Sequence, residues 1–515
     1  DNHDLLINPD DPANMINAND GGANVSFDGG ASWSWQMNQP TGEFYRVFVD
    51  QQWPYRVYGP QQDNSTISIP SHGRVAWNRE PPDWYSVGGC ESGHIAVDPR
   101  NPDVVYAGCY GGSISRIDRG TGESREIIAY PQLQLGQAAR DLKYRFQWNA
   151  PIRLSPHDAS ILYHTSQVVH RSTDEGQTWA EISPDLTTDD IEQQDFAGGP
   201  ISRDSTGVEV YNTIFAFEES PHRKGELWAG SDDGLLHVSR DDGGSWQEVT
   251  PSQLPTGATI NNVDISAHDP DRIFFAAYRY RENDFRPLVY RSNDGGKSWS
   301  LLTDGSNGIP ATHFTRVVRE DPERRGLLYV GTEFGLYVSI DDGARWQRWE
   351  SELPVSPVTD MVVHRGDLVI STQGRGFWIR RDLSPLRQAS AALLGAELEL
   401  LEPPVAYRGG LNTANLHFWV TEVPEQPVEL AILSGDEVLR SFEWKPGEKG
   451  KAAGDSGMPA FLRRFLGAEL KVEKGLNAFS WNLRHEGPEA PKGVIHWGFT
   501  PGVAVPPGEY TVRLT

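Results

Sequence analysis

The sequence predicts an all-β chain built from repeated sheet units, and three observations predict it. The pattern Ser-x-Asp-x-Gly-x-x-Trp stands five times, at Ser26/Asp28/Gly30/Trp33, Ser172/Asp174/Gly176/Trp179, Ser239/Asp241/Gly243/Trp246, Ser292/Asp294/Gly296/Trp299 and Ser339/Asp341/Gly343/Trp346. Short apolar runs of strand length recur between turn residues ahead of these copies. Finally, 52 Gly, 36 Pro and 17 Trp in 515 residues, with little sign of long amphipathic helices, mark a turn-rich β protein.

Each copy reads as a hairpin corner. The Asp accepts backbone N–H bonds, and the Gly takes the positive φ a tight turn needs. The Ser bonds within the same turn, and the Trp opens the next strand and buries a large ring. Ahead of a corner comes an apolar strand, then Asp-Pro or Ser-Pro-His, then a second strand ending in Gly, as in Ile95–Asp98-Pro99 followed by Val104–Gly108. Proline cannot donate to a ladder, so it marks the turn between strands. The whole unit is four short antiparallel strands, one blade of a β-propeller.

Eight units follow in order. The first spans 1–37. The second, about 43–88, keeps its strands without a corner, and the third, about 92–130, has a degenerate one at Ser115–Asp118. The next four cover about 149–187, 211–251, 260–303 and 313–350. The eighth, about 358–382, lacks a corner. Eight units suit one eight-bladed ring. The preferred reading makes 1–37 an orphan blade, the last of a preceding propeller, and 38–382 a seven-bladed propeller. Residues 383–410 read as a linker with some helical character. Runs such as Ala414–Val420, Val428–Leu433, Gly475–Arg484 and Pro507–Leu514 predict a β-sandwich over 411–515.

The corner motif is that of the Asp-box, or bacterial neuraminidase repeat, and the chain resembles Asp-box propeller proteins over nearly its whole length. It looks like the C-terminal half of secreted bacterial sortilin-like or glycosyl-hydrolase-like tandem-propeller proteins. That resemblance implies an immunoglobulin-like C-terminal domain and an extracytoplasmic, bacterial location. It also implies a partner: an N-terminal propeller half, on the same precursor or a separate chain. The opening at Asp1 inside a repeat leads to the same expectation of preceding sequence. In this family the boxes are scaffold, so Asp28, Asp174, Asp241, Asp294 and Asp341 are expected to shape turns and do no chemistry.

A net charge of −25 argues against nucleic-acid and anionic-membrane partners, and no apolar run is long enough to span a membrane. The two cysteines, Cys90 and Cys109, fall on neighbouring strands, and the sequence leaves both a disulfide and a pair of inert thiols open. No metal or cofactor is expected. Asp-rich turns such as Asp232-Asp233-Gly234 read as turn chemistry rather than a Ca²⁺ site.

Function is expected on the loops between blades. Aromatic rings beside arginines and carboxylates suit a sugar or peptide platform, which selects Tyr144, Arg145, Trp148, Tyr278, Tyr280, Arg286, Arg375 and Trp378. Candidate carboxylates are Asp63, Glu91, Asp141, Asp204 and Glu209, with Glu91 and His94 expected to face the axis. No sialidase Arg-Ile-Pro phrase is present, and Arg145, Arg279 and Arg375 form no clear triad. Two functions follow. The first is a binding or scaffold propeller holding a glycan, peptide or protein on its loop face. The second is an inverting glycoside hydrolase of xyloglucanase-like type, with two carboxylates across a cleft between two propellers. A polar-packed axis favours the first, and carboxylates around an open aromatic cleft favour the second.

Overall fold

The computed structural model describes residues 1–36, 41–72, 83–203, 205–208, 210–349, 352–407, 413–447, 469–487 and 502–515. The chain divides into two compact units, Asp1–Arg381 and Asp382–Thr515.

In the first unit every sheet is antiparallel and built from strands consecutive in the chain. A three-stranded sheet comprises Asn2–Ile7, Met15–Asn19 and Gly22–Ser26. Further sheets begin at the inner strands Phe48–Val49, Ile95–Val97, Ile152–Leu154, Ile214–Glu219, Thr259–Ile265, Thr315–Glu320 and Val358–His364. Five of these sheets have four strands. Each touches the next, and the last touches the first. At that seam the Phe44 N–H donates to the Thr372 carbonyl at 3.0 Å, and the Thr359 hydroxyl donates to the Phe44 carbonyl at 2.6 Å.

The core lies between neighbouring sheets. Trp228, Leu236 and Val238 of one sheet pack with Ile260, Phe275 and Tyr290 of the next. Phe274, Val289 and Leu302 repeat the arrangement against Val318, Val330 and Trp346, and Val47, Val57 and Val369 pack across the seam. Inner strands are therefore buried on both faces, which explains their near-continuous apolar runs.

The corners form one hydrogen-bond pattern. The Ser172 hydroxyl donates to Asp174 at 2.8 Å and accepts the Gly176 N–H at 2.8 Å, while Asp174 accepts both the N–H and the hydroxyl of Thr178. Asp28, Asp241 and Asp294 repeat this with Ser32, Ser245 and Ser298, and Asp341 accepts the Arg345 N–H. These bonds favour the ionised form. The Thr178 hydroxyl and N–H lead in holding Asp174 down at about 2, and the Ser298 hydroxyl leads for Asp294, also at about 2. The corner tryptophans tie sheets together: the indoles of Trp246, Trp299 and Trp346 donate to the carbonyls of Ile182, Val249 and Leu302 on the preceding sheet.

The Ser-Pro-His turns at Ser155 and Ser220, and the related Ser-Ala-His turn at Ser266, do the same work between the first and second strands of their sheets. The Nε2 of His157, His222 and His268 lies 2.8 Å from the carbonyls of Ser220, Ser266 and Asp321. Each accepting residue occupies, in the next sheet, the place that Ser155, Ser220 or Ser266 occupies in its own. The repeated phrase is thus a clip from each sheet to its successor.

In the second unit, Leu398–Leu400, Ala414–Val420 and Gly475–Trp481 form one sheet, and Glu437–Trp444, Val428–Ser434 and Thr511–Leu514 another. Leu416, Phe418, Leu430, Ile432, Phe479 and Trp481 share one core, and Ala414–Val420 alternates inward and outward as a half-buried strand must. The segment read as a linker supplies two short helices, Ser384–Gln388 and Ala391–Gly395, and the edge strand Leu398–Leu400.

Candidate functional site

In a four-stranded antiparallel blade, the 1–2 and 3–4 turns share one end, and the 2–3 turn shares the other with the connection to the next blade. The corners and Ser-Pro-His turns lie at the first end. The loops carrying the sequence candidates lie at the second.

A cleft of about 590 Å³ opens at that second end. Tyr45, Trp148, Tyr211, Phe215, Tyr278 and Tyr280 line it with Arg46, Arg281, Arg316 and Asp232. Tyr278 and Tyr280 stand with ring centres 5.2 Å apart. Trp148 lies 4.9 Å from Tyr110 and edge-on to Tyr45 at 6.5 Å. Arg281 lies 5.3 Å from the Tyr280 ring and Arg316 5.8 Å from the Tyr278 ring, within cation–π range. Arg316 is paired with Glu333 at 2.7 Å. Asp232 is 4% exposed and accepts the N–H and hydroxyl of Thr213. Burial, then its neighbour Asp233, raise its pKa to about 7.

The axis is filled with charge. Arg46, His94, Arg153, Glu218, Asp264, Arg319 and Asp360, carried by or beside the inner strands, line a cavity of about 540 Å³ running toward the opposite end. Arg153 pairs with Glu218 at 2.8 Å, and Arg319 with Asp360 at 2.9 Å and Asp264 at 3.4 Å. Arg153 Nη1 donates to His94 Nδ1 at 2.7 Å, which places the imidazole proton on Nε2. Burial and then Arg153 push the His94 pKa well below its ordinary value, keeping the ring neutral. Arg46 lines both cavities.

Beside the aromatic cleft, a groove of about 650 Å³ is lined by Asp63, Ser65, Cys90, Glu91 and Tyr110 together with Asp20 and Gln36 of the N-terminal segment. Glu91 accepts bonds from the Asp63 N–H at 2.6 Å, from Gln62 at 3.0 Å and from the Tyr110 hydroxyl. Cys90 and Cys109 are joined in a disulfide, which resolves the alternative the sequence left open.

The structure sorts the sequence candidates. Trp148, Tyr278 and Tyr280 line the aromatic cleft. Asp63 and Glu91 come together, but Glu91 lines the groove rather than the axis; His94 does face the axis. Other candidates stand elsewhere. Tyr144 is buried against His170, with its hydroxyl on Glu181. Arg145 is buried on Asp185 and Asp189, pinning the loop. Arg286 is exposed and holds Asp284. Asp141 and Arg375 are exposed, and Trp378 donates to the Arg375 carbonyl. Asp204 and Glu209 lie outside the described residues. Of the arginines weighed as a triad, Arg145 is sequestered and Arg279 donates to the Thr256 carbonyl. The arginines that do converge are Arg46, Arg281 and Arg316. The visible signal for Arg46 and Arg316 was a charge interrupting an apolar run of strand length in the sequence.

No family model matches the chain. Xyloglucanase Xgh74A of Acetivibrio thermocellus is 28% identical over 137 residues, 23% of this chain and 16% of that protein. The oligoxyloglucan-reducing end-specific xyloglucanase of Emericella nidulans is 24% identical over 188 residues, 31% of this chain and 22% of that one. The chain thus spans less than a quarter of the length of either relative. The crystal structure of the GH74 xyloglucanase from Xanthomonas campestris superposes with a TM-score of 0.50 at 16% identity, covering 73% of this chain and 58% of that one. The fold is a β-propeller. With that likeness and the closed succession of sheets together, the aromatic cleft is a propeller's loop face and the charged cavity its axis.

Proposed function

We propose that this chain is an extracytoplasmic propeller that binds glycan on its loop face. The observation that carries the reading is the cleft of Tyr45, Trp148, Tyr211, Tyr278 and Tyr280, whose rings offer flat apolar faces to sugars while arginines and Asp232 orient hydroxyls. The ion pairs filling the axis support binding over catalysis, and the kinship with xyloglucanases supports a glycan ligand. On this reading residues 38–382 are a seven-bladed Asp-box ring and the second unit is immunoglobulin-like. The sheet Asn2–Ser26 belongs to a neighbouring ring. Its exposed Leu5, Leu6, Ile7 and Ile16 and the following Phe27 and Trp35 suit a surface that another blade covers. Affinity electrophoresis through gels carrying xyloglucan or other soluble polysaccharides tests the proposal. Retardation by at least one glycan, lost in Trp148→Ala and Tyr280→Ala, supports it. Unretarded migration in every gel overturns it.

A second reading is favoured by Asp232. A carboxyl group titrating at about 7 in an aromatic cleft has the property of a general acid. If the cleft is a hydrolase half-site, reducing-sugar release from xyloglucan appears and vanishes in Asp232→Asn.

A further inference from the structure

We propose that the aromatic cleft takes an acidic glycan, whose sugar carboxylate enters among Arg46, Arg281 and Arg316. The inference rests on the glycan-binding reading and names its ligand class. The chain carries 71 acidic against 46 basic side chains, so three arginines lining one cleft run against the background.

Their partners are unequal. Arg316 is balanced by Glu333. Arg281 is exposed over Tyr280 and, among the described residues, has no carboxylate within 4 Å. Arg46 is 5% exposed; its Nη2 donates to Asn261 at 3.2 Å, while its Nε–H is buried without a partner. Asp360 acts on Arg46 from the axial side, but no carboxylate among the described residues pairs with it directly. A buried guanidinium without a paired anion is costly, and a carboxylate is its best-matched acceptor because the two planar groups pair through parallel charge-assisted bonds. The one acidic side chain among the described lining residues, Asp232, bonds to Thr213 rather than to any arginine. The rings of Trp148 and Tyr280 supply what an isolated anion would not need, a flat surface for the sugar itself. Ring plus carboxylate describes a uronic acid residue.

Calorimetric titration of the whole chain with trigalacturonate, a neutral xyloglucan heptasaccharide and triglutamate tests this. Trigalacturonate is expected to bind about tenfold or more tighter than the neutral sugar, and Arg281→Gln to lose about tenfold in that affinity, the scale of one charged hydrogen bond. Added salt should weaken trigalacturonate and spare the neutral sugar. Arg281 is exposed, so its variant folds; Arg316→Gln is the second probe. Equal or tighter binding of the neutral sugar, unchanged in Arg281→Gln, overturns the inference and leaves the glycan reading standing. Triglutamate binding as tightly as trigalacturonate shows that charge alone is read, and overturns it too. Binding of neither sugar sinks both.

Discussion

Glu91 accepts a hydrogen bond from the Tyr110 hydroxyl, and each of the two follows directly on one half of the Cys90–Cys109 disulfide. The cross-link therefore sets the distance between two loops, and through Tyr110 it reaches the Trp148 ring at 4.9 Å.

Removing the cross-link by Cys90→Ser with Cys109→Ser is expected to destabilise the first unit by about 3 kcal/mol, the loop-closure cost for a span of this order. It should also weaken ligand affinity, because Tyr110 is freed from its register beside Trp148. Denaturant unfolding and ligand titration of the double variant measure the two effects. Loss of stability with full affinity retained would show that the bond does not organise the face.

The corner aspartates predict a response to acid. The folded pKa values of Asp28, Asp174, Asp241 and Asp294 lie below the ordinary value, so these four contribute stability that is fully present above about pH 4. It is lost as pH falls through the folded values of about 2 for Asp174 and Asp294. Asp174→Asn with Asp294→Asn should be less stable than the parent at pH 6, the gap closing toward pH 2. A gap independent of pH between 6 and 2 contradicts the assignment.

Arg272 spans two sheets. It is buried with Glu320 at 3.0 Å and also bonds Asp342 on the same neighbouring sheet. Arg272→Met leaves the Glu320 carboxylate buried without a counter-charge, at an expected cost of about 3–5 kcal/mol. Adding Glu320→Gln should recover much of that loss. Chemical denaturation of the two variants decides whether the pair is coupled.

Asp232 predicts how binding depends on pH. Burial and then Asp233 raise its pKa, and the Thr213 bonds and then Arg281 lower it, with the result at about 7. Below pH 7 the carboxyl is neutral and the cleft more positive, so an anionic ligand should bind more tightly at pH 6 than at pH 8. In Asp232→Asn the affinity should be level across that range. A dependence persisting in the variant would place the titrating group elsewhere.

How much of this was readable beforehand follows the range of the interactions. The corners were legible because Ser, Asp and Gly act within a few residues of one another. The Ser-Pro-His phrase was legible as a turn but not as a clip, since its acceptor lies on the next sheet. Arg145 and Tyr144 stand in a buried latch, which rings beside charges compose as readily as a binding platform. Arg316 sits inside a strand and Arg46 just ahead of one, and they meet only when the succession of sheets closes.

That closure has a mechanical side. Backbone bonds join Gly42 to Gly374 and Gly376, and Phe44 to Thr372. Tension applied between the two ends of the ring loads these few bonds first, ahead of the aromatic layers between sheets. The inner strand on one side of the seam, Phe48–Val49, is only two residues long. The ring is therefore a strap buckled at one point: stiff all round its circumference, and set to give way at the buckle when its ends are pulled apart.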